Sequence, residues 1–218
     1  MRELDNIAVA SLGVLLNENT TLKRFYPLIS IKETLVQRLL DAGIEDKYAF
    51  LERAGQHTQL AASLKLDMEV VELLERFLHL HDFVNRRLKD VDCVNARFRE
   101  GLALGGVKTS QDYLLLCTRR TWKELSQDFN GAEEDAQKLF CICDLMRLPG
   151  VKSTRASLYY DCGCRTLKDF SRQNREELQR YMAQYIEENQ IKRSVPFPKE
   201  LDTQIAAAKA LPHWEPLG

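Results

Sequence analysis

Between Met68 and Phe83, apolar residues fall at Val70, Val71, Leu73, Leu74, Phe77, Leu78 and Leu80. They form one broad face of a helix with 3.6 residues per turn. The same period recurs along nearly the whole chain, and the strict alternation of a half-buried strand does not. The expected fold is therefore all-α. The apolar run from Ile7 to Leu16 reads as a buried helix. After the breaker Ser194-Val195-Pro196-Phe197-Pro198, a last helix is expected from about Lys199 to Leu211, with Leu201, Ile205, Ala208 and Leu211 on one face.

The pattern also repeats. Leu28, Leu88 and Leu148 stand sixty residues apart, as do Ile31, Val91 and Val151, and Val36, Ala96 and Ala156. Each stretch runs through a short helix to a glycine (Gly43, Gly106, Gly163) and then an apolar residue (Ile44, Val107, Cys164). Asp46, Thr109 and Thr166 follow, and then the aromatics Phe50, Tyr113 and Phe170. Glycine ends a helix in the left-handed conformation at low cost, and the next apolar residue folds back on the last turn. Asp or Thr then caps the following helix, and Thr109-x-x-Asp112 and Thr166-x-x-Asp169 have capping-box spacing. Longer helices are expected at about 67–87, 131–147 and 175–189. The expected organisation is an N-terminal helical segment (1–27) and three tandem units of helix, hairpin and helix (28–87, 88–147 and 148–211). The third unit includes the C-terminal helix, and residues 212–218 form a frayed tail.

Composition narrows the class. Apolar residues make up 44% of the 218 and charged residues 29%, the proportions of a soluble globular chain. A net charge of −1 gives the whole chain no bias towards nucleic acid or membrane. Arg2, Glu3 and Asp5 precede the first apolar run, and Asn17-Glu18-Asn19 follows it, so it does not read as a leader. No run approaches the roughly 18 apolar residues of a membrane span. Six cysteines are too few for a disulfide scaffold, which points to free thiols in a reducing cytoplasm.

The reactive residue types form no recognisable constellation. Cys141 and Cys143 are spaced i, i+2 within an expected helix, about 200° apart, so the pair does not reach one ion, and Cys162 stands at the packed end of another helix. The usual zinc spacing, Cys-x-x-Cys, is missing. Cys164 takes the place of Ile44 and Val107, a core position. His57, His79, His81 and His213 have no spacing that suggests a catalytic triad. There is no phosphate loop and no dinucleotide fingerprint. No enzymatic activity, cofactor or metal is expected.

Leu148-Pro149-Gly150-Val151-Lys152-Ser153-Thr154-Arg155-Ala156 resembles the helix-hairpin-helix signature, a Gly-apolar-Gly turn with Ala four residues after the second glycine. Asp144, Leu145 and Arg147, then Gly163, then Arg172 to Leu178, then Arg193, Val195 and Pro196 widen the match to about residues 135–211. Over that span the chain resembles a bacterial family known only as a domain of unknown function, number four-three-three-two. A weaker likeness extends over residues 28–134. The resemblance implies an all-helical helix-hairpin-helix fold and no assigned activity.

Helix-hairpin-helix modules often hold nucleic acid backbone, with hairpin N–H groups facing a phosphate. Here Lys152 stands at the second glycine position. The first copy has Ser30 and Lys32 at the two glycine positions, and the second has Asp90 and Asp92, which repel phosphate. The candidate grip is thus the third hairpin, through Gly150, Lys152, Ser153 and Arg155. From residue 148 onward there are 11 Lys and Arg against 9 Asp and Glu, and before it 20 against 23. The near-neutral charge and lost hairpin glycines favour a non-catalytic interaction module with a protein partner. Tyr159, Tyr160, Tyr181 and Tyr185 are its interface candidates, or else helix core. The alternative is sequence-independent DNA or RNA binding through the third hairpin.

Overall fold

The computed structural model describes residues 4–217. Arg2 and Glu3 of the leader argument, and Gly218 of the expected tail, lie outside the described residues. Among the described residues there are 14 α-helices and no strand. In chain order, α1 is Leu12–Leu15, α2 Tyr26–Ser30, α3 Lys32–Asp41, α4 Lys47–Ala54, α5 His57–Leu64, α6 Met68–His79 and α7 Ala96–Leu104. Then come α8 Ser110–Cys117, α9 Trp122–Asp128, α10 Glu133–Leu145, α11 Ser153–Asp161, α12 Leu167–Ser171, α13 Arg175–Glu188 and α14 Pro198–Ala210. The chain divides into two compact units, each discontinuous in sequence. Residues 1–82, 171–179 and 194–212 form the first, and residues 83–170, 180–193 and 213–218 the second.

In the first unit α1 packs on α3 and α14, and α6 packs on α2, α4 and α5. The face of α6 read from the sequence is buried at Val71, Leu74, Phe77 and Leu78, while Leu80 is exposed. Phe25 meets Phe77 edge to face at 5.4 Å. The run Ile7–Leu16 is only partly helical: a 3-10 turn at Val9–Ser11, then the single turn of α1. Extended pairing displaces the rest. The Val9 N–H donates to the Glu45 carbonyl and the Lys47 N–H to the Ile7 carbonyl, both at 2.8 Å.

In the second unit α10 is the hub, packed on α8, α9 and α11 through Ala136, Leu139, Phe140 and Cys143. Tyr113 is buried, with its hydroxyl donating to the Ala136 carbonyl at 2.8 Å. The helix expected at 67–87 stops at His79. Residues 86–88 instead pair with 108–110: Leu88 N–H donates to the Lys108 carbonyl (2.8 Å) and Ser110 N–H to the Arg86 carbonyl (2.7 Å). A helical backbone has no such groups to spare.

Three helices end alike. The N–H groups of Ile44, Val107 and Cys164 donate to the carbonyls of Leu39, Leu102 and Tyr159, at 2.9, 2.8 and 2.9 Å. The preceding glycines have φ of 67°, 85° and 88° and donate to Leu40, Ala103 and Tyr160. This is the paired bonding of a Schellman motif, which satisfies the last carbonyls of the helix. The expected N-caps follow. Asp46 accepts from Ala49 N–H, and Thr109–Asp112 and Thr166–Asp169 are reciprocal capping boxes. Phe50, Tyr113 and Phe170 are all buried.

The residue after each cap is also buried, and its N–H is taken from outside the helix. For Lys47 and Ser110 the acceptor is a backbone carbonyl; for Leu167 it is the Asp144 carboxylate, at 2.8 Å. Burial of Lys47 brings its Nζ to Asp5 (3.0 Å), Asp82 (2.6 Å) and the His81 carbonyl (3.4 Å).

Candidate anion-binding cleft

The three hairpins differ in backbone. Ser30 lies at the end of α2, Leu88–Asp90 is a 3-10 turn, and Gly150 takes a left-handed φ of 75°. A Cβ on Gly150 would meet open space. The third hairpin therefore presents bare backbone just ahead of α11. Lys152 occupies the N-cap position of α11 and is exposed.

Ser153 begins α11, and its hydroxyl donates to the Asp90 carbonyl at 2.9 Å. That bond ties the third hairpin to the second. Between the two hairpins lies a cleft of about 140 Å³ lined by Arg86, Arg87, Asp90, Val91, Met146, Lys152 and Ser153. Among the described residues, Gly150 and Arg155 stand outside this lining.

The two arginines are held by main chain. Ser110 Oγ accepts the Arg86 N–H at 3.0 Å, and Arg87 bridges Thr109. Arg86 Nε is buried and has no acceptor among the described residues. Asp90, read from the sequence as repelling phosphate, lies 3.4 Å from Arg87 Nε. Both of those side chains are more than half exposed, so the pair is a weak one. Three cations and one carboxylate leave the cleft positive. The net negative charge of the first 147 residues conceals Arg86 and Arg87. Residues 83–120 alone hold eight Lys and Arg against four Asp and Glu.

Motif residues shared with the resembled family tie α10 to α12 and Arg193 to α11. Asp144 and Arg147 form a buried pair at 2.5 Å, and the other Asp144 oxygen accepts the first N–H of α12. Arg193 donates to the Thr154 carbonyl in the first turn of α11 at 2.9 Å.

The thiols are packing groups. Burial pushes Cys117, Cys141 and Cys164 up to about 12 and Cys162 to about 11, and Cys143 is raised well above the ordinary thiol range. At neutral pH they are not nucleophilic thiolates. Among the described residues no group of three or more His, Cys, Asp or Glu is placed to hold a metal ion. His57 pairs with Glu75 at 2.6 Å and His79 with Asp82 at 2.8 Å. Tyr159 is core, Tyr160 and Tyr185 are half-buried, and Tyr181 is exposed. Among the described residues no helix is long and apolar enough to cross a membrane.

Neither a curated protein nor a solved structure matches the chain. A family model described as "Domain of unknown function (DUF4332)" matches residues 92–211, more than half of it. The chain therefore belongs to the DUF4332 family, whose matched segment includes Lys152 and Ser153 of the cleft and begins just after Arg86 and Arg87.

Proposed function

We propose that this chain is a non-catalytic binding module, built from three tandem helix-hairpin-helix-like units, that holds the sugar-phosphate backbone of DNA or RNA without reading its sequence. The convergence of Arg86, Arg87 and Lys152 on one cleft carries this reading. Guanidinium groups match phosphate oxygens two at a time, and the first N–H groups of α11 add the positive end of a helix. Backbone contacts of this kind position a nucleic acid but carry no base information. The matching Schellman ends and N-caps support the three-unit reading. Six free thiols, four of them buried, fit a reducing cytoplasm.

The test is fluorescence anisotropy with labelled duplex and single-stranded oligonucleotides at low and physiological salt. Micromolar binding is expected, weakening with salt and dropping at least tenfold in Lys152→Glu and in Arg86→Glu. Equal binding by wild type and both variants would overturn it.

A protein partner is the second reading, and Leu104 favours it, standing 91% exposed at the end of α7. It predicts a partner captured by the wild type and lost by Leu104→Glu, with no change in oligonucleotide binding.

A further inference from the structure

The second unit holds a larger cavity of about 470 Å³, lined by Arg87, Leu88, Lys89, Ala96, Arg99, Glu100, Ala103, Val107 and Lys108. Its volume is that of a small-molecule site. Leu88, Ala96, Ala103 and Val107 make an apolar floor between the 3-10 turn at Leu88–Asp90, α7 and the Schellman end of that helix. The turn side is fixed by the Leu88–Lys108 backbone bond.

The polar groups are mostly cationic. Arg99 is 19% exposed and donates to the Lys89 carbonyl at 3.1 Å, which fixes its guanidinium. Its Nε is buried and has no acceptor among the described residues. A buried donor of this kind carries a desolvation cost that an incoming acceptor would remove. Among the described residues, no carboxylate pairs with Lys89 or Lys108. Three carboxylates temper the charge: Glu100 in the lining, Asp90 beside Arg87 and Asp92 3.8 Å from Arg99. Four cations against three carboxylates leave about one positive charge, which suits a monoanion better than a polyphosphate.

We propose that this pocket binds a small organic monoanion with an apolar body, such as a medium-chain carboxylate. Its body lies on Leu88, Ala103 and Val107, and its head meets Arg99 and Lys108. Of its lining residues only Arg87 also lines the nucleic-acid cleft.

Isothermal titration of the full chain with decanoate, decanol and decylammonium tests the charge requirement. Competition against 1-anilinonaphthalene-8-sulfonate fluorescence tests the location. Decanoate should bind at least tenfold tighter than either of the others and displace the dye. Ala103→Trp, an outward-reaching change, should fill the pocket and cut decanoate affinity at least tenfold. Lys108→Glu should cut it several-fold while leaving decanol unchanged. Lys152→Glu should leave decanoate binding intact, so failure of the cleft and failure of the pocket are told apart. Equal binding of decanoate and decylammonium, no decanoate binding at millimolar concentration, or full affinity in both Ala103→Trp and Lys108→Glu would overturn the proposal.

Discussion

His81 is buried beside Lys47, with its Nδ1 3.2 Å from the Phe77 carbonyl. Burial lowers its pKa from 6.5 to about 4, and the Lys47 charge pushes the same way against Phe77 and Asp82. Between pH 6.5 and 4 the unfolded chain thus binds a proton that the folded chain refuses. Stability is full above about pH 6.5 and falls through that window by roughly 3 kcal/mol. Denaturant midpoints measured from pH 7.5 to 4 should show this loss, and His81→Leu should flatten it. An unchanged slope in that variant would place the titrating group elsewhere. Lys47→Met removes the buried cation that faces both Asp5 and Asp82, and a loss of about 3 kcal/mol is expected. Adding Asp5→Asn should recover part of it, because the two residues share one interaction.

Element by element, the short helices depend on their ends. Alanine at Gly106 would have to hold φ at 85°, a conformation that costs an L-residue roughly 1–2 kcal/mol. Space there is open, so the cost is conformational alone. Gly101, inside α7, is the opposite case. A Cβ would sit 2.3 Å from the Phe129 carbonyl oxygen, a main-chain atom with little room to give. Gly101→Ala should therefore destabilise by about 1–3 kcal/mol through overpacking. Thermal unfolding of the two variants should separate the causes. Gly106→Asn should recover stability relative to Gly106→Ala, since Asn tolerates the left-handed region, whereas no small side chain rescues position 101.

At the scale of the molecule, the net charge of −1 conceals an asymmetry. The first unit carries 13 Lys and Arg against 17 Asp and Glu, and the second 18 against 15. The basic excess therefore lies with the unit that contains the cleft. Three phosphates neutralised there would give a log–log salt slope of about −2.7 on duplex DNA and about −2 on single strands. Lys152→Glu should reduce the magnitude by about one. Anisotropy titrations over a range of salt concentrations measure this directly, and a slope near zero would mean that no phosphate is held.

Local chemistry made much of this protein legible before any coordinates. The helix faces, the glycine–apolar ends and the Thr–Asp capping boxes depend on residues within a few positions of one another, so periodicity and spacing suffice to read them. Lys152 and Ser153 became candidates the same way. Asp90 carried a charge that spacing alone read as repulsive, and spacing gave no sign that the Ser153 hydroxyl donates to the Asp90 carbonyl. Arg86 and Arg87 enter the cleft through pairing of residues 86–88 with 108–110, where the periodicity predicts helix. The sequence by itself determined most helix faces, the glycine ends and the capping boxes, because those are short-range balances of backbone bonding and side-chain burial. The tertiary structure alone decided which charges share a cleft, because that rests on contacts between residues distant in sequence, 86–88 with 108–110 and Ser153 with Asp90.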